Sequence, residues 1–163
     1  MDSLAAWLEG TRVSWFINHY SWIWPACETL HFLGLALLIG NVGLLDLRLL
    51  GFMKRLPVLP LNRLVLWGVV GFAINLVTGV MFFVGQAHQY VNNIAFIYKM
   101  SFVALAGVNL VVFYLTGLGR KVALLGAGDD APILAKIIAA TSLLLWTGVM
   151  YMGRMLPYIG DSF

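Results

Sequence analysis

Four apolar stretches take up most of the chain, and their length decides the solvent in which it folds. They run from Pro25 to Leu50, Leu64 to Gln86, Ile94 to Leu118 and Pro132 to Met155. At 1.5 Å rise per residue, ~20 predominantly apolar residues cross a ~30 Å hydrocarbon layer. Each stretch meets that length. Backbone N–H and C=O groups in hydrocarbon must be satisfied within the segment, so the α-helix is the form these stretches take. The expected fold is all-α, a four-helix transmembrane bundle. Short connections favour antiparallel neighbours and hence an up-down topology.

The spans and their loops leave no room for a second core, so residues 1–163 form a single integral membrane domain. Only 10% of residues are charged, against about 25% in an ordinary soluble domain. The net charge of +3 marks topology, not a nucleic-acid partner. Arg48, Lys54, Arg55, Arg63, Arg120, Lys121 and Lys136 flank the first and third interhelical loops, seven of the ten Lys and Arg in the chain. Basic loops stay in the cytoplasm. The first and third loops are therefore expected inside, with both termini outside. Cys27 is the only cysteine, which rules out an internal disulfide, a Cys-x-x-Cys zinc site and covalent haem attachment of the c type.

Before the first span, Trp7, Trp15, Trp22 and Trp24 mix with Glu9, Arg12 and Asn18. Amphipathic aromatics favour the headgroup zone, so an N-terminal interfacial helix is expected near Ser3–Glu9. Pro25 suits the first turn of span one. Pro57 and Pro60 suggest an extended first loop. A short polar loop, Ala87 to Asn93, follows span two.

Ionisable residues within the spans carry the functional information. At ~100° per residue, Glu28, His31, Leu35, Val42 and Asp46 share one face of span one. By helical rise His31 lies ~9 Å, and Lys99 ~8 Å, inside their boundaries. Arg154 lies one turn before the end of span four. Glu28, His31, Lys99 and Arg154 therefore fall in one layer near the outer surface, with His88 in the loop above. Three readings fit this layer. Glu28 pairs with Lys99 or Arg154 in a structural cluster that fixes helix register. Alternatively, His31 is the metal ligand of a b-type haem, oriented by Glu28, while Lys99 and Arg154 neutralise the porphyrin carboxylates. In the third reading, the same residues line a quinone pocket. For a second axial ligand, His88 lies ~10 Å above His31 by rise and needs a bent outer loop, while His19 needs the entry segment to fold back; a single-His haem is the other arrangement. Glu28-x-x-His31 does not make a di-iron site, which needs four Glu in all. The chain has two. Asn41, Asn75 and Asn109 put one amide in each of the first three spans, where interhelical hydrogen bonds are expected. Asp46 and Arg48 read as an interfacial pair.

His31-Phe32-Leu33-Gly34, with Gly40, Gly43 and Asp46-Leu47-Arg48-Leu49-Leu50-Gly51, resembles the first span of uncharacterised small bacterial four-span membrane proteins. More distantly it resembles the copper-resistance D and HemJ-type protoporphyrinogen oxidase families, which have an early-helix His followed by Gly and Arg. Thr78-Gly79 through Phe96-Ile97-Tyr98-Lys99 to Asn109 is similar to their later Gly and to a span opening with an aromatic residue and Lys. The resemblance implies a four-helix membrane fold with a site near His31 and Lys99 and an association with haem; in a bacterial inner membrane the termini expected outside are periplasmic. It implies no oxidase activity, since the HemJ-like C-terminal Arg…Asn-Glu…Pro pattern is absent. The function expected is haem binding or redox chemistry beside an electron-transfer membrane partner, or as a homo-oligomer. The alternatives are an accessory subunit without enzymatic activity and a quinone-site protein.

Overall fold

The structure is a computed structural model and describes residues 2–159. Two short helices, α1 (Asp2–Glu9) and α2 (Arg12–His19), precede the long α3 (Ile23–Leu50) and α4 (Val58–Gly85). The single-turn α5 (Ala87–Asn92) leads into α6 (Ile94–Leu115), then α7 (Leu118–Ala123) and α8 (Ile133–Met155). Among the described residues α3, α4, α6 and α8 are each long and apolar enough to cross a membrane. Their large apolar side chains confirm the solvent. Leu66, Val77, Leu105 and Leu144 are all more than half exposed, a surface that water would not tolerate and acyl chains would.

Local chemistry sets the helix ends. Thr11 caps α2 by accepting the Ser14 N–H through its hydroxyl, and Asn93 caps α6 by accepting the Ala95 N–H at 2.9 Å. Gly51 ends α3 in the left-handed conformation, φ 101°, which glycine adopts without a Cβ penalty. Helix α4 begins at Val58, six residues before the apolar stretch at Leu64. The extended loop expected of Pro57 and Pro60 is thus shorter than the prolines suggest. Pro57 takes an extended φ,ψ just outside the helix, and Pro60 falls in the first turn, where its missing N–H costs no helical bond.

The long helices line up as α4–α3–α8–α6. Helix α3 packs most extensively on α4, α6 on α8, and α8 bridges to α3, while α4 and α6 make at most marginal contact. The α3–α4 crossing is very close. A Cβ built on Gly71 would lie 2.5 Å from the Gly34 carbonyl oxygen and 2.7 Å from the Leu38 nitrogen. Glycine at both positions lets the backbones touch.

Each end of the bundle carries apolar clusters. At the end holding both termini, Ile17, Ile23 and Cys27 pack with Trp24, Met81 and Phe82. There too, Tyr90, Ala95 and Leu156 pack with Phe83, Phe96, Met152 and Met155. The buried Asn93 amide ties this end together by donating to the carbonyls of Leu156 and Ile159, at 2.9 and 2.8 Å. At the loop end, Leu49, Val58, Leu118, Val122, Ala135 and Ala139 form a third cluster.

Arg48 is fully buried there. Its guanidinium donates to the carbonyls of Leu56, Gly126 and Asp129, which staples the first and third interhelical loops. This corrects the expected Asp46–Arg48 pair: two residues apart on a helix, the side chains diverge by ~160°, and Asp46 lies toward Ser142 of α8 instead. Of the three span amides, Asn109 bonds across helices, to the Ile138 carbonyl at 3.1 Å. Asn41 and Asn75 bond back to the carbonyls of Leu37 and Gly71 in their own helices.

Candidate functional site

His31 faces α4 rather than lipid. Its Nδ1 lies 2.7 Å from the Thr78 hydroxyl oxygen, and its ring meets Phe82 edge-on with centroids 5.6 Å apart. Gly79 sits against the imidazole Cε1, 3.8 Å from where its own Cβ would be. The register that brings these groups together is fixed by the Gly34–Gly71 crossing. Gly34 lies one turn beyond His31, and Gly71 two turns before Thr78.

One tautomer lets Thr78 keep both contacts. Thr78 has one hydroxyl hydrogen; with it on the Ile74 carbonyl, 2.8 Å away, the hydroxyl receives at its lone pairs. The 2.7 Å contact is then Nδ1–H donating to Thr78. The other ring nitrogen, Nε2, carries a free lone pair. This is the arrangement of a metal-ligating histidine, whose second nitrogen is held by a hydrogen-bond acceptor.

Lys99 of α6 approaches the same place from the opposite pair of helices. Its ammonium lies near enough for its charge to act on the His31 imidazole, and its Cε and Nζ run 3.7 Å from the position of a Cβ on Gly153 of α8. The ion pairs among the described residues are Lys54–Asp130 and Lys136–Asp130, at 3.1 and 2.8 Å. Both are at the loop end, and Lys99 takes part in neither. An ionisable residue within a membrane span and without an ion-pair partner marks a candidate site.

The remaining candidates lie apart from this centre. Glu28 is exposed and makes neither the Lys99 nor the Arg154 ion pair. Its charge acts on Tyr90, and Thr78 rather than Glu28 holds the His31 nitrogen. Burial first, and the Glu28 charge second, push the Tyr90 phenol up to about 12. Arg154 is exposed and stacks over the Tyr158 ring, 5.7 Å from its centroid. His88 lies in α5, with its backbone N–H donating to Glu9 Oε1 at 2.9 Å. His19 stacks on Trp15, centroids 4.3 Å apart. The Lys99 charge thus reaches His31, while no hydrogen bond or ion pair among the described residues ties Glu28, His88 or Arg154 to it. Thr78 and Phe82 are the residues that spacing alone did not assign to the site. The signal was there, since both lie on the Asn75, Thr78, Phe82 stripe of α4.

Among the described residues no group of three or more His, Cys, Asp or Glu converges. That donor set does not suit a metal ion held by protein ligands alone.

Fold and site together define a polytopic α-helical membrane protein with a buried polar centre toward the end that carries its termini. The chain belongs to DUF6644, a family of unknown function whose model matches residues 4–160. That match gives no link to the copper-resistance D or HemJ-type families. No curated protein and no solved structure matches the chain.

Proposed function

We propose that this protein is a small haem-binding or redox-linked protein of the bacterial inner membrane, with its site near the periplasmic face and both termini periplasmic. The observation that carries the reading is His31. It is oriented by Thr78 through Nδ1, its Nε2 is free for iron, and the unpaired cation Lys99 faces it. A b-type haem, when bound, supplies one-electron chemistry at its iron. The chain's own residues do the rest. Thr78 fixes the imidazole tautomer and raises its basicity. The edge of Phe82 fixes the ring plane. Lys99 would hold one porphyrin carboxylate, and the exposed Arg154 would hold the second. The aromatic cluster of Tyr90, Phe83 and Phe96 packs the end of the bundle that carries His31. The orientation rests on the basic collar at the opposite end, which belongs in the cytoplasm.

The test is an absorbance spectrum of the detergent-purified protein, oxidised and reduced, from cells supplied with a haem precursor. A Soret band that His31→Ala removes and His88→Ala leaves in place supports the reading. A colourless wild-type protein that also fails to bind added haemin overturns it.

A further inference from the structure

The geometry points to a second binding site at the opposite end of the bundle, for an anionic phospholipid. Between α4 and α6, on the side where those helices barely touch, lies an open cavity of about 410 Å³ lined by Leu59, Arg63, Val65, Leu66, Val69 and Tyr114. Its charge and its shape separate along one line. Leu59, Arg63, Leu66 and Val69 follow one another at spacings of three or four, so they share a stripe of α4. That stripe runs ~15 Å from the loop end toward the middle of the membrane. Arg63 stands near its loop end. Tyr114 faces it from α6, with a polar tip on an aromatic ring suited to the headgroup boundary. Below them the walls are apolar: Leu66 is 68% and Val69 57% exposed.

The occupant follows from charge. Arg63 makes no ion pair or side-chain hydrogen bond with the described residues. The acids at this end are engaged elsewhere, Asp130 with Lys54 and Lys136 and Asp129 with the Gly126 N–H. Arg120 and Lys121 lie in α7, which packs against both α4 and α6, and add positive charge to this end of the bundle. A guanidinium with open donors matches a phosphate bidentately, and a basic pocket between transmembrane helices is where an anionic headgroup binds. The groove beneath takes the acyl chain.

Thermal unfolding and native mass spectrometry of the delipidated full chain in detergent test the site, with phosphatidylglycerol, phosphatidylcholine and inorganic phosphate as probes. Phosphatidylglycerol is expected to bind and to raise the midpoint more than phosphatidylcholine does. Arg63→Gln should weaken that binding about tenfold, which is 1.4 kcal/mol, while Arg120→Gln, outside the cavity, changes it by less. Val69→Trp, which fills the groove but leaves the charge, should also weaken it; this lipid-facing change serves if Arg63→Gln does not fold. The site is refuted if the two lipids act alike, if inorganic phosphate displaces the lipid at equal concentration, or if Val69→Trp binds as the wild type does.

Discussion

Replacing Gly71 by alanine should separate α3 from α4 and disconnect His31 from Thr78. The added Cβ would stand 2.5 Å from the Gly34 carbonyl oxygen, 2.7 Å from the Leu38 nitrogen and 2.9 Å from the Leu37 Cβ. Two of those neighbours are backbone atoms, so no rotamer change relieves them. Ordinary contact begins near 3.4 Å, and the helices must part by about 0.9 Å at this point. The His31–Thr78 contact is 2.7 Å. A displacement of that size carries it past hydrogen-bonding range. Overpacking of this kind costs about 1–3 kcal/mol, and the lost hydrogen bond about 0.5–1.5 kcal/mol, so Gly71→Ala should lose roughly 2–4 kcal/mol. Denaturation by sodium dodecyl sulfate in mixed micelles, followed by tryptophan fluorescence, reads that loss. Gly40→Ala is the control, since a Cβ there meets nothing within 4 Å, and alanine favours a helix over glycine by about 1 kcal/mol. A Gly71→Ala protein within about 0.5 kcal/mol of the wild type, or a Gly40→Ala protein destabilised as much, would refute the close α3–α4 crossing.

Other perturbations probe the two ends separately. Arg48→Ala should cost about 2–4 kcal/mol, measured the same way, because it strips the carbonyls of Leu56, Gly126 and Asp129 of a charged donor. Lys136 and then Lys54 hold the Asp130 carboxylate down to about 2, against its ordinary 3.8. Its contribution is therefore fully present above pH 4 and is lost as pH falls through 2. Asp130→Asn should flatten the acid limb of a melting-point profile between those values. Tyr90, raised to about 12 by burial and then by Glu28, favours the fold below pH 10 and loses that contribution as pH rises through 12. In an ultraviolet titration, Glu28→Gln should bring its ionisation closer to the ordinary 10. An unmoved midpoint would remove Glu28 as a cause.

Much of this fold is legible in residue order because the bilayer imposes a length. Four stretches of sufficient apolar length, punctuated by Gly51, Gly117 and prolines, leave one architecture. What residue order conceals is contact. Pro60 looks like a loop residue until the helix is seen to begin just before it. Asp46 and Arg48 are near neighbours in the chain, yet one lies toward α8 and the other bonds the loop carbonyls. Helical rise expects His31 and Lys99 at similar depth, since depth depends only on counting residues. It could not pair Thr78 with His31, because that depends on the rotation of α4 about its axis, set by the Gly34–Gly71 contact. Charge counting likewise suggested partners for Glu28, which instead faces Tyr90 across the α5 turn.

The ring-nitrogen spectrum of His31 tests the account where it is most specific. The chain has three histidines, so nitrogen-15 labelling of histidine, with His19→Gln and His88→Gln to assign the signals, isolates His31 in the haem-free protein. The account predicts a protonated Nδ1 and an unprotonated Nε2, with that tautomer lost in Thr78→Val. A proton found on Nε2 of the wild-type protein would leave no lone pair for iron and would contradict it.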